Sequence, residues 1–303
     1  MRYGSAIKLT FGLVAAASLA VAAYAANRPT DTQGAARYLG SYTWSAEDKW
    51  FGGFSALSLT ADGSAMTILS DRATLATAKI TRSDGLITGV QATSARHLKS
   101  SKGKFLKGRL VDSEGLAIAK DGTLYISFEG VARVVRHTTA SSRAVVLPRI
   151  KAFRRLPLNK ALESLAIDAR GHLYTLPERA LTEAGQIPVW RWNGSNWSMP
   201  FTLPPRGGFL PVSADFGPDG RLYLLERDFG LFGFRSRLRR LDMSSNGPIN
   251  EQTLIQTSMG THDNLEGLSI WRDAQGQLRA TMVSDDNFKS LQRTELVEYA
   301  LPN

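Results

Sequence analysis

The feature that most constrains the fold is a strand–turn–strand unit that recurs along the chain. Each copy consists of an apolar run, a turn with glycine, and a second apolar run that ends in an acidic residue. The copies begin near Ser55, Glu114, Glu163, Val212 and Glu266. Because repeats at a regular period decide an architecture, we base the prediction of the fold on this self-similarity and not on any local pattern.

Three of the turns contain Asp-Gly, namely Asp62-Gly63, Asp121-Gly122 and Asp219-Gly220. Asp-Gly between apolar runs is typical of a tight hairpin in which both turn residues have positive φ. Successive copies lie about 50 residues apart, which leaves room for two further strands in each unit. Four strands in a unit of this length are typical of a propeller blade.

We therefore predict an all-β fold, a single β-propeller of five or six blades, each with four antiparallel strands. Residues 294–301 fit the third strand of the last blade, and residues 37–44 could supply its fourth strand. A ring closed in this way by N- and C-terminal strands removes the free edge of an open sheet. A sixth blade would have to lie in one of the longer spacings between copies.

The first 26 residues have the pattern of a secretory signal peptide. Arg2 and Lys8 precede an uncharged apolar stretch over residues 9–23, and small residues suited to cleavage follow. The stretch is shorter than the roughly 20 apolar residues that span a bilayer. We expect a signal peptide over residues 1–26, a propeller over residues 27–303, and export to the periplasm or the medium, with no membrane span after cleavage.

The formal net charge of +10 favours small anionic ligands such as phosphate esters, although it could equally serve solubility. Cysteine is absent, so an exported chain would have no disulfide, no thiol nucleophile and no thiolate metal ligand. The basic patches lack the interleaved aromatic residues of a single-strand nucleic-acid platform. We expect a monomer that binds no nucleic acid.

Two sets of acidic residues recur in the repeats, and both are candidate metal ligands. One set lies at the start of the first strand, which lines the channel of a propeller, and the other at the end of the second strand. Converging carboxylates repel unless a cation neutralises them, and oxygen ligands favour Ca²⁺ or Mg²⁺. Capping of the strand starts is the alternative for any single glutamate. The candidate ligands are Glu114, Glu163, Asp215, Glu266, Asp263, Asp71, Glu178, Glu226 and Asp285.

Basic residues beside these acids are candidates for binding the substrate. An acid–arginine step ends the second strand in three copies, and neighbouring side chains on a strand point to opposite faces. An arginine that faces the channel could bind an oxyanion through its bidentate fork, whereas ion pairing between blades is the alternative. The candidates are Arg72, Arg179, Arg227, His262 and Lys289.

The sequence contains no Gly-x-Ser-x-Gly elbow, no His-Glu-x-x-His motif and no P-loop. A catalytic triad assembled from distant residues remains an alternative, and no catalytic residue is assigned.

Several motifs, in their order along the chain, resemble the phytase-like domain family of "esterase-like activity of phytase" proteins. The strongest resemblance is Asn264-Leu265-Glu266-Gly267-Leu268 followed by Ser284-Asp285-Asp286-Asn287-Phe288. Residues 53–57, 70–72, 112–116, 213–215, 225–227 and 292–296 also match. The resemblance covers roughly residues 37–301 and implies an exported propeller that hydrolyses phosphoric or carboxylic esters.

For phosphate esters, the resemblance points toward the calcium-dependent propeller phytases, in which clustered cations hold the phosphate and activate water. The Glu-Gly step is also similar to the metal-binding glutamate of gluconolactonase-type propellers. A lactonase on the same scaffold, and a non-catalytic propeller that binds an envelope ligand or protein, are therefore the alternatives.

Overall fold

The structure is a computed structural model that describes residues 34–159, 161–231, 233–245 and 247–302. These residues form twenty strands arranged in five antiparallel sheets of four strands each. The predicted signal peptide, residues 1–26, lies outside the described residues. In the described part of the chain, no helix is long and apolar enough to cross a membrane.

The strands follow the chain blade by blade, after an N-terminal strand β1 (Arg37–Thr43). Blade 1 contains β2 (Phe54–Leu59), β3 (Ala65–Ser70), β4 (Thr74–Ser83) and β5 (Leu86–His97). Blade 2 contains β6 (Ser113–Ile118), β7 (Leu124–Phe128), β8 (Arg133–His137) and β9 (Val145–Val146). A 3₁₀ turn (Gly108–Leu110) precedes blade 2, and a short helix α1 (Lys151–Arg155) follows it.

The remaining three blades have the same order. Blade 3 contains β10 (Leu162–Ile167), β11 (Leu173–Pro177), β12 (Ile187–Trp192) and β13 (Trp197–Leu203). Blade 4 contains β14 (Leu210–Phe216), β15 (Leu222–Gly230), β16 (Gly233–Ser244) and β17 (Gly247–Gln256). Blade 5 contains β18 (Asn264–Arg272), β19 (Leu278–Asp285) and β20 (Glu295–Ala300), and β1 is its fourth strand.

The pairing of β1 with β20 closes the ring. The two strands are antiparallel, with Tyr38 opposite Tyr299 and Thr43 opposite Glu295. The first strands of neighbouring blades contact one another around the whole ring and so surround a central channel. The predicted propeller and its closure are therefore confirmed, with five blades rather than six.

The Asp-Gly turns form the predicted hairpins with a different backbone conformation. Only the glycine of each pair has positive φ, as at Gly122 with 84° and Gly220 with 77°. The aspartate instead accepts a hydrogen bond from the backbone two residues later, as Asp121 Oδ1 does from the Thr123 N–H at 2.9 Å. The turn in blade 2 closes between Ala119 and Thr123 and is therefore longer than a two-residue turn, so it needs positive φ only at its glycine.

The hydrophobic core is divided among the five interfaces between blades. Each interface has its own cluster of buried side chains, drawn from two neighbouring blades. The cluster between blades 5 and 1, for example, combines Val283 and Leu296 with Phe54 and Ile68. Every blade therefore buries its two faces against its two neighbours, and closure of the ring completes the core.

Candidate metal centre at one mouth of the channel

Antiparallel pairing brings both predicted sets of acids to the same end of the channel. The start of each first strand lies opposite the end of the second strand, as Leu162 lies opposite Pro177 and Asn264 opposite Asp285. The strand-start glutamates and the strand-end acids therefore share one mouth, which we call the acid mouth. The other end of the channel is the opposite mouth.

A β-bulge recurs at the start of all five first strands. The register shifts on either side of Ser55, Glu163, Val212 and Glu266, and a similar shift in β6 includes Glu114. A bulge bends its strand and changes the direction of the side chain it carries. The three glutamates at these positions interact electrostatically across blades, which places them in one shared space.

The strand register also corrects the alignment of the fourth repeat. Pro211 lies opposite Glu226, as Leu162 lies opposite Pro177, so Arg227 occupies the position that Glu178 has in blade 3. The matching positions of the other blades are Asp71, Glu129 and Asp285. One arginine thus replaces one acid in a ring of five equivalent positions.

The result is a cluster of eight carboxylates at the acid mouth, which we call the acid group. Each member interacts with at least one other ionised member or with Arg227. The acid group consists of Asp71, Asp112, Glu114, Glu129, Glu163, Glu178, Glu266 and Asp285.

Burial, followed by mutual repulsion, raises most of the pKa values in the acid group. The pKa values of Glu114 and Glu163 lie well above the usual range, first because both side chains are buried. The same causes raise the pKa of Asp71 to about 6, of Glu129 to about 7 and of Asp285 to about 8. At neutral pH the group therefore retains protons, and a bound cation would replace them.

Arg227 is the cation at the centre of the acid group. Its guanidinium donates to Glu266, to the Asn264 side-chain oxygen at 2.6 Å and to Glu178 at 3.4 Å. These carboxylates, together with Glu163, hold the pKa of Arg227 above its usual value although burial opposes this. Arg227 is therefore a permanent positive charge, and it neutralises one side of the group.

The side of the acid group in blade 2 has the geometry of a cation site. One carboxylate oxygen from each of Asp112, Glu114 and Glu129 lies within 4.8 Å of the others. Ligands bound to Ca²⁺ at 2.3–2.6 Å can lie up to about 5 Å apart, so three such oxygens can share one ion. The donor set contains only oxygen, which suits Ca²⁺ or Mg²⁺.

Two residues of this triad, Asp112 and Glu129, are absent from the predicted ligands. Asp112 precedes β6, and the residues at the matching position of the other copies are not acidic, so no periodic signal marks it. Glu129 is the fifth residue after Leu124, as Glu178 is after Leu173 and Arg227 after Leu222. The repeat itself marks Glu129 as the acid that ends the second strand of its copy, and counting from these leucines would also have identified the exceptional Arg227.

Glu226 lies apart from the acid group, on the other face of β15. Its side chain is fully buried, and its oxygens accept hydrogen bonds from Arg237 at 2.7 Å and from Arg239 at 2.6 and 2.9 Å. Both oxygens are therefore occupied by arginine, and this carboxylate is part of an ion-paired core of blade 4 rather than of the channel.

Asp215 also lies apart from the acid group. It is near the end of β14 and lines a cavity of about 1120 Å³ at the opposite mouth, together with Ser269 and Ile270. Its carboxylate accepts the backbone N–H of Ile270 at 2.7 Å, and burial raises its pKa to about 7. Three residues along a strand span about 10 Å, which carries the side chain away from the acid mouth.

The other predicted residues surround the acid mouth. Arg72 is exposed and lies over the Phe288 ring at 3.3 Å, and Arg179 is exposed beside Glu178 at 3.4 Å.

Asp263 accepts the Arg293 backbone N–H at 2.8 Å. His262 bonds the Tyr299 hydroxyl at 2.7 Å. Asp263, His262 and Lys289 line one cavity outside the acid group.

A five-bladed ring with carboxylates gathered at one mouth defines the chain as a β-propeller with a candidate metal centre. Residues 49–288 match the Phytase-like family, described as "Esterase-like activity of phytase". This match spans more than half of the sequence, and the chain belongs to that family. The resemblance seen in the sequence motifs is thereby confirmed. A comparison with curated protein sequences found no match.

Solved structures share the fold at low sequence identity. An α-L-arabinofuranosidase from Podospora anserina is 13% identical with a TM-score of 0.54, over 89% of this chain and 97% of that chain. The catalytic domain of a second α-L-arabinofuranosidase, from Coprinopsis cinerea, is 12% identical with a TM-score of 0.52, over 89% and 98%. A gluconolactonase from Xanthomonas campestris is 13% identical with a TM-score of 0.42, over 78% and 69%. The similarity to the two α-L-arabinofuranosidases concerns the fold alone, and the TM-score of the gluconolactonase is too low to show a shared fold.

Proposed function

We propose that the chain is an exported, cation-assisted hydrolase of phosphoric or carboxylic esters, with its site at the acid mouth. The observation that carries this proposal is the oxygen triad of Asp112, Glu114 and Glu129 beside the permanent charge of Arg227. Membership of the phytase-like family supports the ester class, and the N-terminal signal pattern supports export.

The triad would hold a divalent cation, and Glu163 would support it from blade 3. A bound Ca²⁺ or Mg²⁺ would polarise the ester oxygen and lower the pKa of a bound water. The carboxylates of this chain supply the charge that holds such an ion, and their raised pKa values show how unfavourable their ionisation is without one.

The basic residues of the acid mouth would bind the anionic part of the substrate. Arg227 is fixed by Glu266 and Asn264, so its fork is already oriented before a ligand arrives. Arg72 and Arg179 are exposed at the edge of the mouth and can move toward a phosphate or carboxylate. Asp285, with a pKa of about 8, retains a proton at neutral pH and could donate it to a leaving group.

The test is hydrolysis of a substrate panel by the purified chain in Ca²⁺, in Mg²⁺ and in EDTA. The panel contains p-nitrophenyl phosphate, p-nitrophenyl acetate and a sugar lactone. We expect turnover of at least one ester that EDTA abolishes and Ca²⁺ or Mg²⁺ restores. Glu114→Gln and Glu129→Gln should each lower kcat/KM by about a hundredfold, since each removes a charged ligand.

Asp121→Asn is the matched control, because it makes the same change of carboxylate to amide at an exposed turn of the opposite mouth. Its activity should equal that of the wild type. Turnover that is insensitive to EDTA and to both glutamate variants would contradict the proposal. Failure to hydrolyse any ester would favour the non-catalytic binding propeller.

A further inference from the structure

A pocket with one apolar and one polar wall lies between blades 4 and 5, outside the acid group. The pocket has a volume of about 320 Å³, and Phe229, Phe234 and Leu291 form its apolar wall. Phe229 and Phe234 are in ring contact, with centroids 5.0 Å apart. They belong to the hairpin of β15 and β16, whereas Leu291 belongs to the loop between β19 and β20.

Two chain connections join the pocket to the acid group. Arg227 and Phe229 are two residues apart on β15, so their side chains point to the same face of the strand at a distance of about 7 Å. Asp263 lines the pocket, and the next residue, Asn264, hydrogen-bonds both Arg227 and Glu266. A molecule bound at Arg227 could therefore extend into the pocket.

The apolar side chains around this pocket are unusually exposed to solvent. Phe229 is 70% exposed and Leu291 is 96% exposed, and Leu231 at the tip of the same hairpin is 93% exposed. Single exposed apolar residues are common, but apolar residues grouped on two facing loops beside a polar centre are typical of a ligand-binding surface.

The pocket also carries a cation. Lys289 lines it and pairs with no carboxylate among the described residues, whereas Arg293 is paired with Glu295 at 2.8 Å. The one carboxylate of the lining, Asp263, accepts hydrogen bonds from the Gln292 side chain and the Arg293 backbone. A lysine beside an apolar wall suits a ligand with a negative charge next to an apolar group. The volume is at the lower end of ligand pockets and fits one aryl ring system or a short alkyl chain.

We propose that this pocket binds the aryl or short alkyl group of an anionic ester whose charged end lies at Arg227. This inference rests on the proposed function in taking the ligand to be an ester, and it goes further by assigning the class of ester. Esters with an apolar group would then be preferred over esters of small polar alcohols or of sugars.

The experiment measures binding separately from turnover. The fluorescent apolar anion 8-anilino-1-naphthalenesulfonate is titrated into the purified chain, and 1-naphthyl phosphate is used to displace it. We expect saturable binding of the dye and competition by 1-naphthyl phosphate but not by inorganic phosphate at the same concentration. The double variant Phe229→Ser/Leu291→Ser should bind the dye and 1-naphthyl phosphate at least about tenfold more weakly.

Leu181→Ser is the matched control, since Leu181 is an exposed leucine of blade 3 that lies outside the pocket. Equal affinity of the double variant and the wild type, or the absence of saturable binding, would overturn the proposal. If the double variant binds the dye more weakly but no ester is hydrolysed, the pocket assignment is supported and the proposed catalysis is contradicted. If p-nitrophenyl phosphate is hydrolysed but the double variant binds the dye as tightly as the wild type does, the proposed catalysis is supported and the pocket assignment is contradicted.

Discussion

At the scale of the residue, this protein accommodates buried carboxylates in two ways. Glu226 is surrounded by arginine, with its two oxygens bound by Arg237 and Arg239. The acid group instead gathers eight carboxylates around Arg227, while Arg72, Arg133 and Arg179 each act on a single member at its edge. A buried ion pair becomes strongly unfavourable when one partner is removed, whereas an excess of buried acids is unfavourable until a cation binds.

Substitution of the ion-paired Glu226 should therefore affect stability. Among the residues that the structure describes, Glu226→Gln removes the only carboxylate of the buried Arg237 and one of the two carboxylates of Arg239, which keeps Glu251 at 3.2 Å. It should lower the free energy of unfolding by about 3 kcal/mol. Urea denaturation followed by circular dichroism measures this difference. Glu183→Gln, at an exposed loop position, should change it by less than about 0.5 kcal/mol. A loss below about 1 kcal/mol for Glu226→Gln would show that the pair contributes little.

The acid group should make the stability of the fold depend on pH. The pKa values of Asp71, Glu129 and Asp285 rise to about 6, 7 and 8 in the folded state, so this state binds more protons than the unfolded chain. Their contribution to stability is complete below about pH 4 and is lost as the pH rises to about 8. In EDTA, the unfolding midpoint should be higher at pH 5 than at pH 8.

Added Ca²⁺ should reduce this difference, because a bound cation neutralises the acids without protons. Differential scanning calorimetry at the two pH values, with and without Ca²⁺, measures both effects. A midpoint in EDTA that rises from pH 5 to pH 8 would be incompatible with buried acids that repel one another.

At the scale of the element, the ring depends on its N-terminal strand. β1 is the outer strand of blade 5 and pairs with β20, whose Leu296, Val297 and Tyr299 are buried. The strand therefore covers a sheet edge that would otherwise be free to pair with another chain. Its contribution is larger than its seven residues suggest.

Deletion of residues 34–44 should consequently prevent the chain from remaining a stable, soluble propeller. We expect aggregation and a broad, early thermal transition, measured by size-exclusion chromatography and calorimetry. The deletion is compared in a chain that begins at residue 34 and one that begins at residue 45, so that the two differ only in residues 34–44. A sharp transition at the wild-type midpoint after the deletion would show that β20 does not need its partner.

At the scale of the whole molecule, the repeat was sufficient to predict the propeller, its closure by β1 and the meeting of acids at the channel. The side chains were harder to assign, because a shift of one residue moves a side chain to the other face of a strand. For this reason Arg227, and not Glu226, takes the channel position in blade 4. Asp112 has no acidic equivalent in the other copies, and Asp215 lies too far along its strand to reach the acid mouth.

The central claim, a divalent cation held at the acid mouth, is tested most directly by the unfolding midpoint of the purified chain in EDTA and then in excess Ca²⁺. A ligand that binds only the folded state stabilises it by mass action, and a hundredfold excess over Kd should raise the midpoint by about 5 °C or more. We predict this rise for the wild type and for Asp121→Asn, and its loss in Glu114→Gln/Glu129→Gln. An unchanged wild-type midpoint in Ca²⁺, Mg²⁺ and Mn²⁺ would contradict the claim.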